Sequence, residues 1–200
     1  MGFLAENCLF VEFTERTERL CSDFDCGNDD LNNFFRNRAV PFSDQRLSLT
    51  YGFVLSDGTQ EVVCAFSLSN HSVHTSGLSN NRRRVVNRHI PYAQQLSVYP
   101  GVLVGRLAVS KKFQRLGIGS ELMRYLSAWF LGTSNKSGCR FVVLDALNQS
   151  DTVEFYLRNG FQFLYQSESE EAARLGRVKN AKMETRGMFR DLLDTSEGMR

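Results

Sequence analysis

Gln114, Gly117, Gly119 and Ser120 are spaced as a turn that opens a helix, a place where backbone amides can hold an anion. The first amides of a helix have no intrahelical acceptor, and glycine keeps the approach clear. Leu116, Gly117, Ile118, Gly119 and Ser120 can therefore all offer N–H groups to phosphate oxygens. Lys111, Lys112 and Arg115 beside the turn add positive charge, which suits a ligand carrying several phosphates. Two other phosphate loops do not fit. A Walker loop needs Lys-Ser or Lys-Thr after its glycines, and a dinucleotide fingerprint needs a third glycine where Leu122 stands.

The flanking residues supply the elements that must position this turn. Val102, Leu103, Val104, Leu107, Ala108 and Val109 form a short β-branched run expected of a central strand. After Ser120, the residues Leu122, Met123, Leu126, Trp129 and Phe130 recur at helical spacing, with Glu121 in the first turn where the helix dipole favours an acid. A second block, Phe141 to Phe161, again reads as a buried strand and a short helix. There Asp151 and Glu154 have the spacing of a capping box, and Gly160 is placed to end the helix.

With these flanks, Gln114, Gly117 and Gly119 resemble the acetyl-coenzyme A loop of the GNAT N-acetyltransferases. The second block matches the family too, at Asn148, Phe155, Tyr156, Gly160 and Phe161. The resemblance implies that Gln114 to Ser120, Arg115 included, hold the pyrophosphate of acetyl-CoA, the co-substrate. It further implies that Asn148 contacts the pantetheine or neighbouring backbone, that amides around Leu107, Ala108 and Val109 face the acetyl carbonyl, and that Tyr156 protonates the leaving thiolate. Acetyl transfer from a thioester to an amine develops an oxyanion and expels a thiolate, so amide donors and a nearby acid both lower the barrier. A phenol of ordinary pKa about 10 keeps its proton at neutral pH and can still hydrogen-bond a thiolate.

Alternatives stand beside these roles. Tyr156 also fits a core aromatic one turn after Val153. Many family members carry a glutamate base on the central strand, but Gly105 and Arg106 occupy its middle here, so Asp145 on the next strand is the nearest acidic candidate. Asp145 fits an acid paired with Arg106 or another arginine equally well. An α-amino substrate of pKa about 8 can also arrive neutral without a base.

The fold expected is α/β, a single GNAT domain spanning residues 1–200 with its core at about 9–193. Its mixed, mostly antiparallel central sheet is flanked by helices, and the central strand pair splays. Two hundred residues, 42% of them hydrophobic and sixteen of them Phe, suit one well-filled core. Asn28 reads as the N-cap of a helix bearing Leu31, Phe34, Phe35 and Ala39, which Pro41 should stop. Thr50 to Leu55 and Glu61 to Leu68 read as a hairpin, and a last strand falls near Arg186 to Leu192. No leader-like or membrane-spanning apolar run is present, so a cytoplasmic protein without membrane association is expected. The five cysteines and His71, His74 and His89 lack metal-ligand spacing; neither metal nor disulfide is expected, and Cys64 and Cys139 read as inert core thiols.

Three further words, FDCGNDDLNNFF, GRLAV and TRGMFRDL, resemble GNAT proteins related to toxins of toxin–antitoxin pairs. That resemblance implies acetylation of the amino group of aminoacyl-tRNA, a cognate antitoxin and a homodimer as expectations. The other acceptors are a small-molecule or peptide amine, and a non-catalytic CoA-binding regulator is the reading from another class. Arg82, Arg83, Arg84 and Arg88 crowd into seven residues of an expected loop that could grip a tRNA backbone, although the net charge is only +2. The acidic run Glu168, Glu170 and Glu171 reads either as a mobile loop or as a charged helix start.

Overall fold

The computed structural model describes residues 2–133, 135, 137–178 and 182–194. In chain order the elements are α1 (Phe3–Asn7), β1 (Cys8–Glu12), α2 (Glu15–Leu20), α3 (Asp29–Asn37), α4 (Ala39–Asp44), β2 (Leu49–Leu55), β3 (Val62–His74) and α5 (Asn80–Val86). They continue with β4 (Val98–Val109), α6 (Ile118–Leu131), β5 (Phe141–Leu147), α7 (Ser150–Arg158), β6 (Gln162–Phe163), α8 (Glu168–Arg174) and β7 (Thr185–Asp191). The strands form one seven-stranded mixed sheet in the order β1-β2-β3-β4-β5-β7-β6. The β1–β2, β2–β3, β5–β7 and β6–β7 pairs are antiparallel, and β4–β5 is parallel, as expected of the α/β fold. The parallel ladder joins Gly101–Leu103 to Phe141–Val143, and Leu107, Ala108 and Val109 lie further along β4.

The chain divides into two compact units, Met1–Asn70 with Val104–Ala128 and His71–Leu103 with Trp129–Arg200. In the first, Phe13, Phe24, Phe34 and Phe35 pack with Val54, Val62, Ala65 and Ala108. Phe34 and Phe35 meet edge to face, as do Phe24 and Phe35, an arrangement favoured by the ring quadrupoles. Asn28 caps α3 by accepting the Leu31 amide at 3.0 Å. Pro41 does not end that helix. The chain turns at Arg38, and Pro41 sits within the first turn of α4, where its missing N–H costs no intrahelical bond. The hairpin forms with a register shift between Phe53 and Val54, and β3 runs on to His74.

In the second unit, Val73, Val86, Tyr99, Phe141, Val143 and Phe189 make the core. Gly160 ends α7 in the left-handed region at φ 79°. The Phe161 amide reaches the Tyr156 carbonyl at 3.0 Å and the Gly160 amide reaches Leu157 at 3.1 Å, the paired bonds of a Schellman C-cap. At the other end the helix starts two residues earlier than the capping-box spacing implies. Gln149 is its N-cap and makes no side-chain capping bond, while Glu154 pairs with Arg158 at 3.1 Å. No helix among the described residues is long and apolar enough to cross a membrane.

Candidate active site

Residues 114–120 link the end of β4 to α6. Gln114 is the anchor: its Nε2 donates to the Val109 carbonyl and to the Cys26 carbonyl, both at 2.8 Å. The backbone then enters the left-handed region at Arg115 (φ 62°) and again at Gly117 (φ 82°). The first helical bond runs from the Glu121 amide to the Gly117 carbonyl at 3.0 Å. Among the described residues, the amides of 115–120 therefore have no backbone or side-chain acceptor. Successive free amides in a chain that alternates the sign of φ make an anion-binding concavity, here joined to the positive end of a helix dipole. A Cβ at Gly117 would meet open space, so the demand for glycine comes from its φ.

The charges around the turn differ from expectation. Lys111 Nζ lies 2.8 Å from Asp25 Oδ2, and Lys112 Nζ lies 2.6 Å from Glu61 Oε1. The Lys111 hydrogen bond, backed by the Gly27 amide and Asn32, pulls the Asp25 carboxyl down to about 2. Both lysines are thus tied to acids, leaving Arg115, which is exposed, as the cation carried by the turn itself. Glu121, in the first turn of α6, faces α1 and accepts the Leu4 amide at 2.9 Å. Arg106 on β4 stacks over Phe34 at 4.7 Å, and its Nη1 donates to the Gly105 carbonyl at 3.2 Å.

In the second unit, Asn148 follows directly on β5. Its backbone amide donates to the Glu184 carbonyl at 2.8 Å, and its Nδ2 donates to the Met183 carbonyl at 2.8 Å and to Glu168 Oε1 at 3.2 Å. Asp145 is exposed on β5, opposite Gly187 of β7. Tyr156 on α7 is half-buried, with ring centroids 5.0 Å from Phe155 and 5.5 Å from Phe161. Burial among these rings pushes its phenol up to about 12, so it holds its proton throughout the physiological range. Burial likewise raises the thiols of Cys64 and Cys139, which are poor nucleophiles at neutral pH.

Residues 82–163, a span that includes the 114–120 turn, Asn148 and Tyr156, match the family described as acetyltransferase (GNAT) domain. That span, fewer than half of the chain's residues, resembles a GNAT acetyltransferase domain. The free amides of 115–120 fit a phosphate-bearing ligand. The fold is shared over 92–94% of the chain with solved structures of low sequence identity. A Tyr-to-Phe mutant of KacT superposes with a TM-score of 0.68 at 20% identity, covering 94% of this chain and 96% of that one. AtaT complexed with acetyl-methionyl-tRNAfMet gives 0.63 at 18% identity, covering 92% and 95%. AtaTR bound with AcCoA gives 0.59 at 18% identity, covering 94% of each.

Arg82, Arg83 and Arg84 lie on a helix, α5, and not on the expected loop, while Arg88 follows just after its end. The cluster is also split in function. Arg82 Nη2 donates to the Phe163 carbonyl, its Nε reaches Leu164 at 3.4 Å, and its guanidinium lies 5.8 Å from the Phe189 ring centroid. Arg83 Nε donates to the Thr75 carbonyl at 3.3 Å. Arg83 is nonetheless exposed, as are Arg84 and Arg88. The acidic run resolves into the start of α8, capped by Ser167. There Glu168 accepts the Met183 amide at 2.5 Å, Glu170 accepts the Ser79 and Gln166 amides at 2.9 and 2.8 Å, and buried Glu171 accepts the Gly187 amide at 2.6 Å. Sequence reading did not anticipate Glu168 beside Asn148, because a separation of twenty positions leaves no local spacing signal.

Proposed function

We propose that this single-domain GNAT enzyme transfers acetyl to the α-amino group of an aminoacyl-tRNA, in a toxin-like role in the cytoplasm. The supporting observation is the structural likeness, over 92–94% of the chain, to KacT and AtaT, the latter solved with acetyl-methionyl-tRNAfMet. Further structures of those proteins hold the antitoxin AtaR or are KacTA–DNA complexes, so an antitoxin is the protein partner proposed here, together with a homodimer.

Acetyl-CoA brings the acetyl group as an activated thioester. The chain's own contributions follow from the residues described. The amides of Leu116, Gly117, Ile118, Gly119 and Ser120, with Arg115, bind the pyrophosphate, and Gln114 keeps the turn against Val109 and Cys26. Amides around Leu107, Ala108 and Val109 stabilise negative charge developing on the acetyl oxygen. Asn148 holds the backbone at Met183 beside the pantetheine path. Tyr156 donates a hydrogen bond to the departing sulfur. Its pKa of about 12 lies well above the roughly 8.5 of a free thiol, so charge stabilisation outweighs complete proton transfer in its contribution. Asp145, exposed on β5, is the group proposed to take the proton of the attacking amine.

A small-molecule or peptide amine is the second reading. It is favoured by the modest net charge of +2 and by the internal engagement of Arg82 and the tether on Arg83, which reduce the expected phosphate grip. Labelled acetyl transfer to charged tRNA, uncharged tRNA and free amines separates the two. Label on charged tRNA alone supports the proposal, and label on free amines alone overturns it.

A further inference from the structure

The segment between α5 and β4 presents an aromatic side chain to solvent from a rigid base. Tyr92 is 70% exposed and sits in the left-handed region at φ 56°, unusual for a bulky residue. Strain of this kind persists only where the surroundings impose it. Here they do so through Tyr99, which is buried. Its hydroxyl lies 3.0 Å from Asn87 Oδ1, 3.4 Å from the Leu96 carbonyl and 3.5 Å from the Ala93 carbonyl, gathering both sides of the segment onto one atom. The Gln95 amide donates to the Tyr92 carbonyl at 2.9 Å, and Thr75 holds the Ser97 carbonyl through its amide at 2.8 Å and its hydroxyl at 3.2 Å. Leu96 on the same segment and Val98 at the start of β4, 48% and 46% exposed, add apolar surface.

The chain leading into this segment is positively charged. Arg84 and Arg88 are exposed, and Arg88 stands near enough to Arg82 to oppose its charge. Arg82 is half-buried on backbone carbonyls and the exposed Arg83 is tethered to the Thr75 carbonyl through Nε, so the exposed arginines with no such tether are Arg84 and Arg88.

We propose that Tyr92, with the exposed Arg84 and Arg88 that precede it in the chain, is a stacking platform for an unpaired base of the RNA that carries the acceptor amine. The proposal rests on the aminoacyl-tRNA reading and names the part of the substrate it contacts. A pre-ordered aromatic face loses little entropy when a base stacks on it, and exposed arginines suit the phosphates of the same strand. A double helix offers no free base face, which points to a single-stranded end. An acidic protein segment could use the arginines, yet it would draw little from the flat face of Tyr92.

The test measures binding of a fluorescein-labelled single-stranded RNA ending in CCA, alongside KM and kcat for charged tRNA. Tyr92→Ala should weaken RNA binding roughly 5- to 100-fold, the range of one missing base–aromatic stack, while Tyr92→Phe stays within about two-fold. Arg84→Ala and Arg88→Ala should each flatten the salt dependence, by about 0.7 in the log–log slope for each phosphate that is no longer neutralised. On charged tRNA the Tyr92→Ala effect should fall on KM, with the thermal midpoint within about a degree of wild type, since the side chain is exposed. Wild-type RNA affinity in Tyr92→Ala, or no RNA binding by the wild-type chain, overturns the platform. A weakening matched by a lowered midpoint also overturns it, in favour of a structural role. Acetyl transfer confined to free amines rejects the acceptor reading, and the RNA-binding arm still decides the platform independently.

Discussion

Asn148 Nδ2 and Glu168 Oε1 meet at 3.2 Å, and the same carboxylate oxygen receives the Met183 amide at 2.5 Å. Asn148 in turn donates to the Met183 carbonyl, so three groups far apart in sequence close into one hydrogen-bonded triangle at the end of β5. The Met183 amide, and after it Asn148, hold the Glu168 carboxyl below the ordinary carboxylate range. A depressed folded-state pKa contributes stability above the unfolded value of about 4.3, and that contribution fades as pH falls through the folded value. Glu168→Ala should therefore unfold at lower temperature than wild type at pH 7, with the gap narrowing below about pH 4. Thermal melts from pH 7 to pH 3 check this, and a gap constant across that range would show that the carboxylate's charge is irrelevant.

Tyr156 is held protonated by burial, with its pKa pushed up to about 12. Tyr156→Phe should lower kcat about 100-fold or more while leaving the Kd for coenzyme A within about two-fold, because the hydroxyl acts on charge that develops only during transfer. No loss of rate from ionisation of this phenol is expected up to about pH 11. The sign for stability is opposite to that of Glu168. A raised phenol pKa favours the folded state below the unfolded value of about 10, and that advantage is lost as pH rises from there toward 12. Pre-steady-state acetyl transfer and calorimetric CoA binding read the two sides separately, and full activity in the variant would remove Tyr156 from the chemistry.

The turn at 114–120 makes two different demands on its residues. Gln114→Ala leaves the Val109 and Cys26 carbonyls to water, costing about 0.5–1.5 kcal/mol per bond in local order. It should raise KM for acetyl-CoA more than it lowers kcat. Gly119→Leu puts a bulky side chain at the free amides of α6 and should abolish CoA binding. Calorimetry with coenzyme A tests both, and retained affinity in Gly119→Leu would exclude these amides as the phosphate site.

What could be read from the sequence was local. The strand–turn–helix around Gln114, the Asn28 cap and the Gly160 stop each follow from neighbours within a few residues, and all three stand as expected. The arginine-rich stretch read as a loop because its charges hide the apolar positions. It is helical because Val86 is buried against Val73, Leu78 and Tyr99 in the core of its unit. Pro41 looked like a stop because a proline in a helix interior breaks it, yet the chain restarts a new helix at Ala39 and places Pro41 in its first turn. The acidic run was ambiguous because the partners of Glu168, Glu170 and Glu171 include Met183, Ser79 and Gly187, pairings that only the tertiary fold creates.

Glu171 is the most deeply placed of that run, 3% exposed, and it accepts both Arg186 Nε and the Gly187 amide at 2.6 Å. Arg186 is also buried and lies 4.5 Å from the Phe163 ring centroid, so the pair fastens α8 to β7. Removing one member of a buried ion pair leaves an uncompensated charge, at a cost of about 3–5 kcal/mol. Glu171→Ala should show that cost as a lowered urea midpoint with little change in slope. Glu171→Gln keeps an acceptor for the Gly187 amide and should lose less. Replacing both partners with apolar residues of similar volume, Glu171→Leu with Arg186→Met, should recover much of the stability, since no buried charge is then left unpaired. A double variant as unstable as Glu171→Ala would instead place the energy in the hydrogen bond to the Gly187 amide, which that variant cannot restore.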